Sequence, residues 1–315
     1  MVSEVEITAE AVCADRIVPI FIENQKIGGR IVRLENVTTD ILGRHDYPVA
    51  IANLLGEALA LVAIMGSMLK FDGRFVIQTK GDGPVSMLVA DYTGDGEMRA
   101  YAQFDDERLK TMDGVVDFEA LVGKGYIAFS VDQGPDMERY QGIVPIEGQS
   151  IRDVALGYFD RSEQIPTHIK LAAGSLHKPG GITQWRAGGI MIQQTAAEGG
   201  IDATHVSEDD WTRLGLLVAT ASDEELLDTQ LDEGELAYRL FNEDGVRVMS
   251  PRSVTFGCSC SLQRVKDMLR SLPQTDQDEM AEDPETVIKC EFCSTVYTVS
   301  LPLAPSTENE LNLQK

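Results

Sequence analysis

Basic residues are scarce in this chain: 27 Lys and Arg stand against 51 Asp and Glu, for a net charge of −24 over 315 residues. A surface that acidic repels phosphate backbones, so nucleic acid is not expected as a partner, and the charge keeps the chain soluble. The opening residues, Met1-Val2-Ser3-Glu4-Val5-Glu6, are acidic where a secretory signal is basic, and a cytoplasmic location is expected. Long apolar runs are missing with one exception, Ile51 to Leu69. Asn53 and Glu57 lie inside it, no basic flank orients it and turn-rich strands follow at once, so it is expected to be a buried core helix and not a membrane span. Signatures of catalysis are missing as well. Gly81-Asp82-Gly83-Pro84 and Gly123-Lys124-Gly125 fit neither the P-loop nor the dinucleotide fingerprint and read as turns. No nucleophile elbow or kinase signature occurs, and nothing marks a general acid–base pair. The chain is not expected to be an enzyme.

What is present reads as α+β. Residues 1–200 are expected to form a core domain built on an antiparallel sheet and one long helix. Ile17–Phe21 and Ile31–Leu34 are short β-branched runs, and Pro48 opens the apolar helix where a missing N–H costs nothing. Strand-like runs follow at Arg74–Thr79, Val85–Asp91, Glu97–Phe104, Tyr126–Val131 and Glu138–Ile146, separated by Gly-rich or Gly-Pro corners. Ser150–Gln164 returns to helical spacing, with Ile151, Val154, Ala155, Tyr158 and Phe159 on one face, and strands resume at His168–Ala172 and Gly189–Gln194. Strands in runs with few long helices argue for α+β and against a βαβ series.

Residues 201–250 differ in character. They contain 13 Asp or Glu and 3 Arg or Lys, a net of −10, and are expected to be an acidic helical linker. Ser207 with Asp210, Ser222 with Glu225, and Asp232 each stand before an apolar helical pattern, and Gly245 ends the last one. Short helices are marginal in water, so this segment needs a surface of the core domain to hold it and should be comparatively easy to release. The face formed by Trp211, Leu214, Leu217 and Val218 is the candidate surface for binding other proteins. Residues 251–302 form a third part, and 303–315 read as a polar, disordered tail.

Four of the five cysteines fall in that third part. Cys258-Ser259-Cys260 is separated by 29 residues from Cys290-Glu291-Phe292-Cys293. Two close thiol pairs around a short helical segment match a four-thiolate zinc site, each pair supplying two sulfurs from one turn of backbone. Leu262, Val265, Met268 and Leu269 recur at helical spacing between the pairs, and Thr286–Ile288 and Thr295–Val299 flank the second pair. Roughly 50 residues with so little apolar content need a metal or disulfides to hold together. Permanent disulfides conflict with a reducing cytoplasm. A catalytic zinc centre requires an open ligand position, usually with His or a carboxylate, and His45, His168, His177 and His205 all lie outside the cysteine unit. A deaminase-like H-x-E before P-C-x-x-C is missing. Cys13 stands alone and reads as a buried core thiol.

Beyond these patterns the chain resembles a known family, the 33 kDa chaperonins, also called heat-shock protein 33. The resemblance rests on Lys70-Phe71-Asp72-Gly73, Gly81-Asp82-Gly83-Pro84, Glu138-Arg139-Tyr140-Gln141-Gly142, the stretch from Tyr158-Phe159-Asp160-Arg161 through Ser162-Glu163-Gln164-Ile165-Pro166-Thr167, and Ala187-Gly188-Gly189. The C-x-C and C-x-x-C pairs then follow Phe256 in the family's order. The resemblance implies a redox-regulated holdase that works without ATP, binds unfolding client proteins and passes them to ATP-dependent refolding chaperones. It implies an inactive reduced state with one zinc on Cys258, Cys260, Cys290 and Cys293. It further implies disulfides Cys258–Cys260 and Cys290–Cys293 on oxidation, with zinc release, unfolding of the zinc unit and linker, exposure of a client-binding surface, and a homodimer in the active state. Two departures stand out: Ser294 where the family often has a small turn-former such as Gly or Asn, and Leu262-Gln263-Arg264 in place of a more charged stretch. A constitutive zinc-ribbon adaptor, with a purely structural metal and a protein partner, is the alternative that needs no switch.

Overall fold

The computed structural model describes residues 15–69, 73–112, 117–133, 140–178, 182–194, 206–228, 230–280 and 285–301. Cys13 and the tail at 303–315 lie outside the described residues. The chain divides into two compact units, Met1–Gly257 and Cys258–Lys315.

In the larger unit, apolar residues on both sides of the same strands demand two covers. β1 (Arg16–Ile22), β2 (Ile27–Leu34), β8 (Thr167–Lys178), β9 (Ile182–Gln194) and β10 (Val246–Val248) form one sheet in the order β10-β1-β2-β9-β8, with β11 (Arg252–Ser253) also paired to β1. Its inner face carries Ile17, Val32, Leu34, Leu171, Ala187 and Met191. Its outer face carries Ile20, Ile22, Ile27, Ile31, Ile190 and Ile192. The second sheet comprises β3 (Arg74–Gly81), β4 (Val85–Thr93), β5 (Glu97–Phe104), β6 (Gly125–Asp132), β7 (Tyr140–Pro145) and β12 (Thr255–Phe256), in the order β12-β5-β4-β3-β6-β7. β12 pairs parallel to β5, whereas the other pairings in the two sheets are antiparallel.

The apolar run Val49–Met68 forms helix α2, which packs against both sheets and is buried along most of its length. It is long and apolar enough to cross a membrane, yet its apolar stretch lies inside the protein. Pro48 sits at its N-cap. Three short helices flank this core: α1 (Asn36–Leu42), α3 (Asp106–Lys110) and α4 (Phe118–Val122). α5 (Ile151–Tyr158) buries Ile151, Val154, Ala155 and Tyr158, and a π turn over Phe159–Glu163 ends it at Gln164, whose φ is 54°. Helical spacing therefore extends to Gln164, but the α-helix itself stops at Tyr158. β8 and β9 reach well beyond the expected runs, because their pairing continues in register from Thr167↔Gln193 to Lys178↔Ile182.

The outer face of the first sheet is covered by α6 (Glu208–Thr220), α7 (Asp223–Leu227) and α8 (Glu233–Phe241). The caps are those the sequence signals. The Ser207 side chain accepts from the Asp210 amide, Ser222 and Glu225 form a reciprocal capping box, and Asp232 accepts from the Gly234 amide. Leu214, Val218, Leu226, Leu236 and Phe241 are the buried anchors, with Trp211 and Leu217 half-buried beside them. Trp211 stacks on His168 of β8 at 4.2 Å between ring centroids, and its carbonyl lies 3.2 Å from His168 Nε2. Gly215 permits this closeness, since a Cβ there would stand 2.3 Å from the imidazole.

Glu57 is the single charged residue of α2. Its carboxyl is pushed from an ordinary 4.5 up to about 7, chiefly by burial and then by the carboxylate of Asp223, with Arg152 and Lys170 opposing. The folded state thus holds this proton more tightly than the unfolded state. Its contribution is fully present below 4.5 and is lost as pH rises through about 7. Glu57→Gln should flatten the pH dependence of stability across that window and stabilise the protein at pH 8 by up to ~3 kcal/mol. Urea midpoints measured from pH 4.5 to pH 8 check this, and an unchanged wild-type slope in the variant would contradict it.

Candidate metal centre

The smaller unit is built around its cysteines. β13 (Glu285–Lys289) and β14 (Val296–Ser300) pair antiparallel, and their connection carries Cys290-Glu291-Phe292-Cys293. The turn closes through Ser294 N to Cys290 O at 2.9 Å and Cys290 N to Thr295 O at 2.9 Å. Closing it that tightly places Ser294 in the left-handed region, φ 58°. A non-glycine residue there carries a cost of about 1–2 kcal/mol, which gives the departure at Ser294 a physical meaning. The Cys258-Ser259-Cys260 pair precedes α9 (Leu262–Ser271), where the Ser261 side chain caps the helix by accepting from the Arg264 amide. Helix α10 (Gln274–Met280) follows. Of the α9 residues expected to form an apolar stripe, Leu269 is buried, Val265 is half-buried, and Leu262 and Met268 are exposed. The helix is too short and too loosely covered to bury all four.

Cys258, Cys260, Cys290 and Cys293 converge, their sulfurs all within 4.8 Å of one another. Two approaches cross between the motifs: Cys258 Sγ to Cys290 Sγ is 3.7 Å and Cys260 Sγ to Cys293 Sγ is 3.3 Å. Both exceed the disulfide bond length of about 2.05 Å. A tetrahedral ion with metal–sulfur bonds of about 2.3 Å separates its sulfurs by about 3.8 Å. The four residues therefore fit an ion held by four soft thiolates.

Neighbouring hydroxyls tune these thiols. Tyr297 Oη donates to Cys260 Sγ at 3.1 Å, and the Cys293 thiol donates to Thr295 Oγ1 at 3.1 Å, a bond that reverses once Cys293 is a thiolate. Burial pushes the Cys260 thiol up to about 12, against the Tyr297 hydrogen bond. Burial also raises Cys290. At Cys293 burial is outweighed by hydrogen bonds from Thr295 and the thiols of Cys260 and Cys290, which hold it down to about 6. An ion held by four thiolates must displace their protons, so occupancy falls as the solution is acidified. Neither Tyr297 nor Thr295 was legible as a site residue, since a Thr or Tyr in a strand is ordinary β composition. The hairpin register after a C-x-x-C turn is the signal that places them facing the thiols.

The proposed client-binding residues lie in the other unit. Leu214 and Val218 of α6 are buried against the first sheet, Trp211 and Leu217 are half-buried there, and Leu216 points outward.

Fold and site together define an α+β protein that ends in a four-cysteine cluster suited to a metal ion. Known proteins narrow that class. The family model described as Hsp33 protein matches residues 15–300, and the chain belongs to that family. The chain is 42% identical over 293 residues to the 33 kDa chaperonin of Caulobacter vibrioides, covering 91% of this chain and 96% of that protein. It is 34% identical over 277 residues to the 33 kDa chaperonin of Escherichia coli O7:K1, covering 87% and 88%. The crystal structure of the 33 kDa chaperonin of Thermotoga maritima superposes with a TM-score of 0.76 over 91% of this chain and 95% of that one. At 23% identity that likeness bears on the fold.

Two substitutions probe the centre. Tyr297→Phe removes the donor to Cys260 while keeping the ring, and metal affinity measured by chelator competition should fall about 10-fold, the low end for a lost outer hydrogen bond to a ligand. Unchanged affinity would assign the tyrosine to packing alone. Ser294→Gly relieves the left-handed backbone and should raise the melting temperature of the metal-loaded unit by a few degrees. A lower melting temperature would show that the Ser294 side chain contributes more than its backbone costs.

Proposed function

We propose that this chain is a redox-regulated, ATP-independent chaperone that holds unfolding proteins and keeps them from aggregating. Membership in a family whose relatives are named chaperonins supports the coarser part of that reading. The observation that carries the finer part is a thiol cluster inside a unit with almost no core. Among its described residues, Leu269, Cys293 and Val299 are the buried apolar ones, and one of these is itself a candidate ligand. Burial on that scale does not hold such a unit together, so one zinc on Cys258, Cys260, Cys290 and Cys293 is what keeps it folded. Structural zinc contributes an apparent ~10–16 kcal/mol in small peptides, as much as the whole stability of a typical domain, ~5–15 kcal/mol. Zinc has no redox chemistry of its own, which leaves the thiolates as the oxidisable element.

Oxidation acts on the chain's own sulfurs. A thiolate attacks a peroxide oxygen, becomes a sulfenic acid and expels hydroxide, which leaves as water after taking up a proton. A second thiol then displaces the sulfenic hydroxyl as a second water. Each disulfide passes two electrons to one peroxide, so two peroxides convert the four thiols into two disulfides. In the folded unit sulfurs of different motifs approach to 3.3 and 3.7 Å. Oxidation within the intact site has cross-motif pairs within reach as well as the local ones. The proposed bridges, Cys258–Cys260 and Cys290–Cys293, form once the unit has opened, when thiols two or three residues apart meet far more often than thiols across the 29-residue interval. Neither bridge replaces the metal as a staple, so the unit stays open.

The acidic helices α6–α8 then leave the sheet, and the Trp211, Leu214, Leu217 and Val218 face becomes available to clients together with the isoleucines it covered. The protein acts by binding, without catalysis, in the cytoplasm. It dimerises when oxidised and hands clients to ATP-dependent refolding chaperones. Its charge of −24 disfavours nucleic acid and anionic membrane surfaces.

The test follows metal, sulfur and activity in one sample. Reduced protein should hold one zinc per chain, Cys290→Ser should hold little, and neither should slow aggregation of a heat-unfolded client to the degree of oxidised wild type. Peroxide at raised temperature should release zinc and create anti-aggregation activity together, with peptide mapping returning the two sequence-local disulfides. Reductant plus zinc should reverse both. Equal activity in the reduced, zinc-loaded form would favour a constitutive zinc-ribbon adaptor.

A further inference from the structure

The contact between α7 and the first sheet includes main-chain oxygens as well as the buried Leu226 side chain. Arg33 Nη2 donates to the Glu225 carbonyl at 2.8 Å, and Arg186 Nη1 donates to the Leu227 carbonyl at 3.2 Å. Between them Gly188 leaves room for the Leu226 carbonyl, which a Cβ at that position would meet at 2.5 Å. Arg33 pairs with Gly188 across β2 and β9, and Arg186 lies two residues before Gly188, so all three share one face of the sheet. The Leu226 side chain between these carbonyls is fully buried. The carbonyls at 225–227 are therefore received by two arginines and one glycine.

This arrangement is specific for backbone and indifferent to most side chains. The last carbonyls of a helix lack intrahelical partners and carry its negative dipole end, which suits guanidinium donors. Arg33 is 7% exposed, and neither Arg33 Nε nor Arg186 Nε has a hydrogen-bond partner among the described residues. A buried guanidinium such as that of Arg33 is strongly driven to replace a partner carbonyl that is removed, whereas half-buried Arg186 also has Glu35 3.6 Å away. A cavity of about 470 Å³ opens beside the contact, lined in part by Gly174, Arg186, Asp223, Leu227, Leu231 and Arg239. Lys170 of β8 lies 2.8 Å from Asp223, a cation of the sheet that meets an acid of the segment it receives.

We propose that Arg33, Gly188 and Arg186 form a backbone-carbonyl clamp, occupied by the chain's own residues 225–227 at rest and by a turn of an unfolded polypeptide after the linker leaves. The segment it takes has three successive carbonyls turned to one side, a buried apolar residue at the centre and acidic flanks. Recognition through carbonyls, which every residue carries, explains how one site serves clients of unrelated sequence. The proposal rests on the release of the linker described above.

The experiment uses the full chain as wild type, R33Q/R186Q and, as a variant that leaves charge untouched, Gly188→Ala. In the reduced, zinc-loaded state, limited proteolysis within residues 206–241 should be at least 10-fold faster in both variants than in wild type, with thermal melts confirming that the remainder stays folded. In the oxidised, zinc-free state, fluorescein-labelled reduced carboxymethylated α-lactalbumin, a permanently unfolded acidic protein, should bind R33Q/R186Q at least 10-fold more weakly than wild type. If R33Q/R186Q fails to fold, Gly188→Ala carries both comparisons. Oxidised wild type that binds the probe while the variants bind it equally well overturns the clamp and leaves the chaperone reading standing. Oxidised wild type that does not bind the probe overturns both.

Discussion

The architecture depends on one sheet that water cannot wet on either side. Ile20, Ile22, Ile27, Ile31, Ile190 and Ile192 face outward while Ile17, Val32, Leu34 and Met191 face α2. Antiparallel sheets commonly leave one face to solvent, and burial of both is the habit of parallel sheets. Here the inner cover is a helix that belongs to the core. The outer cover is an acidic segment of short helices that lies in sequence between β9 and β10 of the same sheet. That segment is what keeps the protein free of a large exposed apolar patch, and such a patch on a soluble protein is either a binding surface or an aggregation hazard. Autoinhibition and solubility are, on this reading, the same contact.

The cover is made from pieces that do not stand alone. α6, α7 and α8 have 13, 5 and 9 residues, below or near the length at which an isolated helix is marginal in water. Their caps fix where they start, but docking supplies their stability. It does so partly through cations of the body set against the linker's acids. Arg16 meets Glu233, which is 3% exposed, at 2.9 Å, and Lys170 meets Asp223 at 2.8 Å. Within the linker Arg213 holds the buried Asp244 at 2.6 Å. A net of −10 over residues 201–250 is tolerable while such partners are in place. Once undocked, the same charges repel one another and oppose recompaction. The segment is therefore held by specific pairs and, when these fail, kept away by its overall charge.

Much of this was legible from the chain, and the omissions have physical causes. α2 declared itself by a run of apolar residues too long for a strand, and the hairpins by Gly-rich corners between β-branched runs. The four cysteines were found because paired thiol spacing has few other uses in a reduced protein. What sequence could not convey was partition: the strands fall into two six-stranded sheets, and only pairing shows that β12 joins β5 in parallel while β11 joins β1. Arg33 and Arg186 read as ordinary strand charges, because an arginine aimed at a carbonyl 192 or 41 residues away leaves no local trace. Ser294 was noticed as a departure, but its left-handed backbone is a consequence of turn closure that spacing does not reveal.

Between the linker and the first thiol pair the chain makes one more attachment. Arg252–Ser253 adds to β1 and Thr255–Phe256 to β5, Val254 between them is buried, and Arg44 lies 4.1 Å over the Phe256 ring. Cys258 follows two residues after Phe256. In the proposed switch, loss of the metal unfolds a unit whose point of attachment is pinned independently, and does not by itself pull the linker off its sheet. For release to follow, the pins must open as well. Strands of two residues, each on the edge of a sheet, belong to the low end of local unfolding free energies and respond to temperature before the body of the protein does. Oxidation and heat then act on different contacts in series. On that proposal, oxidation removes the staple of the terminal unit, and heat opens the short strands that would otherwise insulate the linker from that loss. A switch built as proposed ignores either stress when it comes alone and mild, because each leaves one of the two attachments in place.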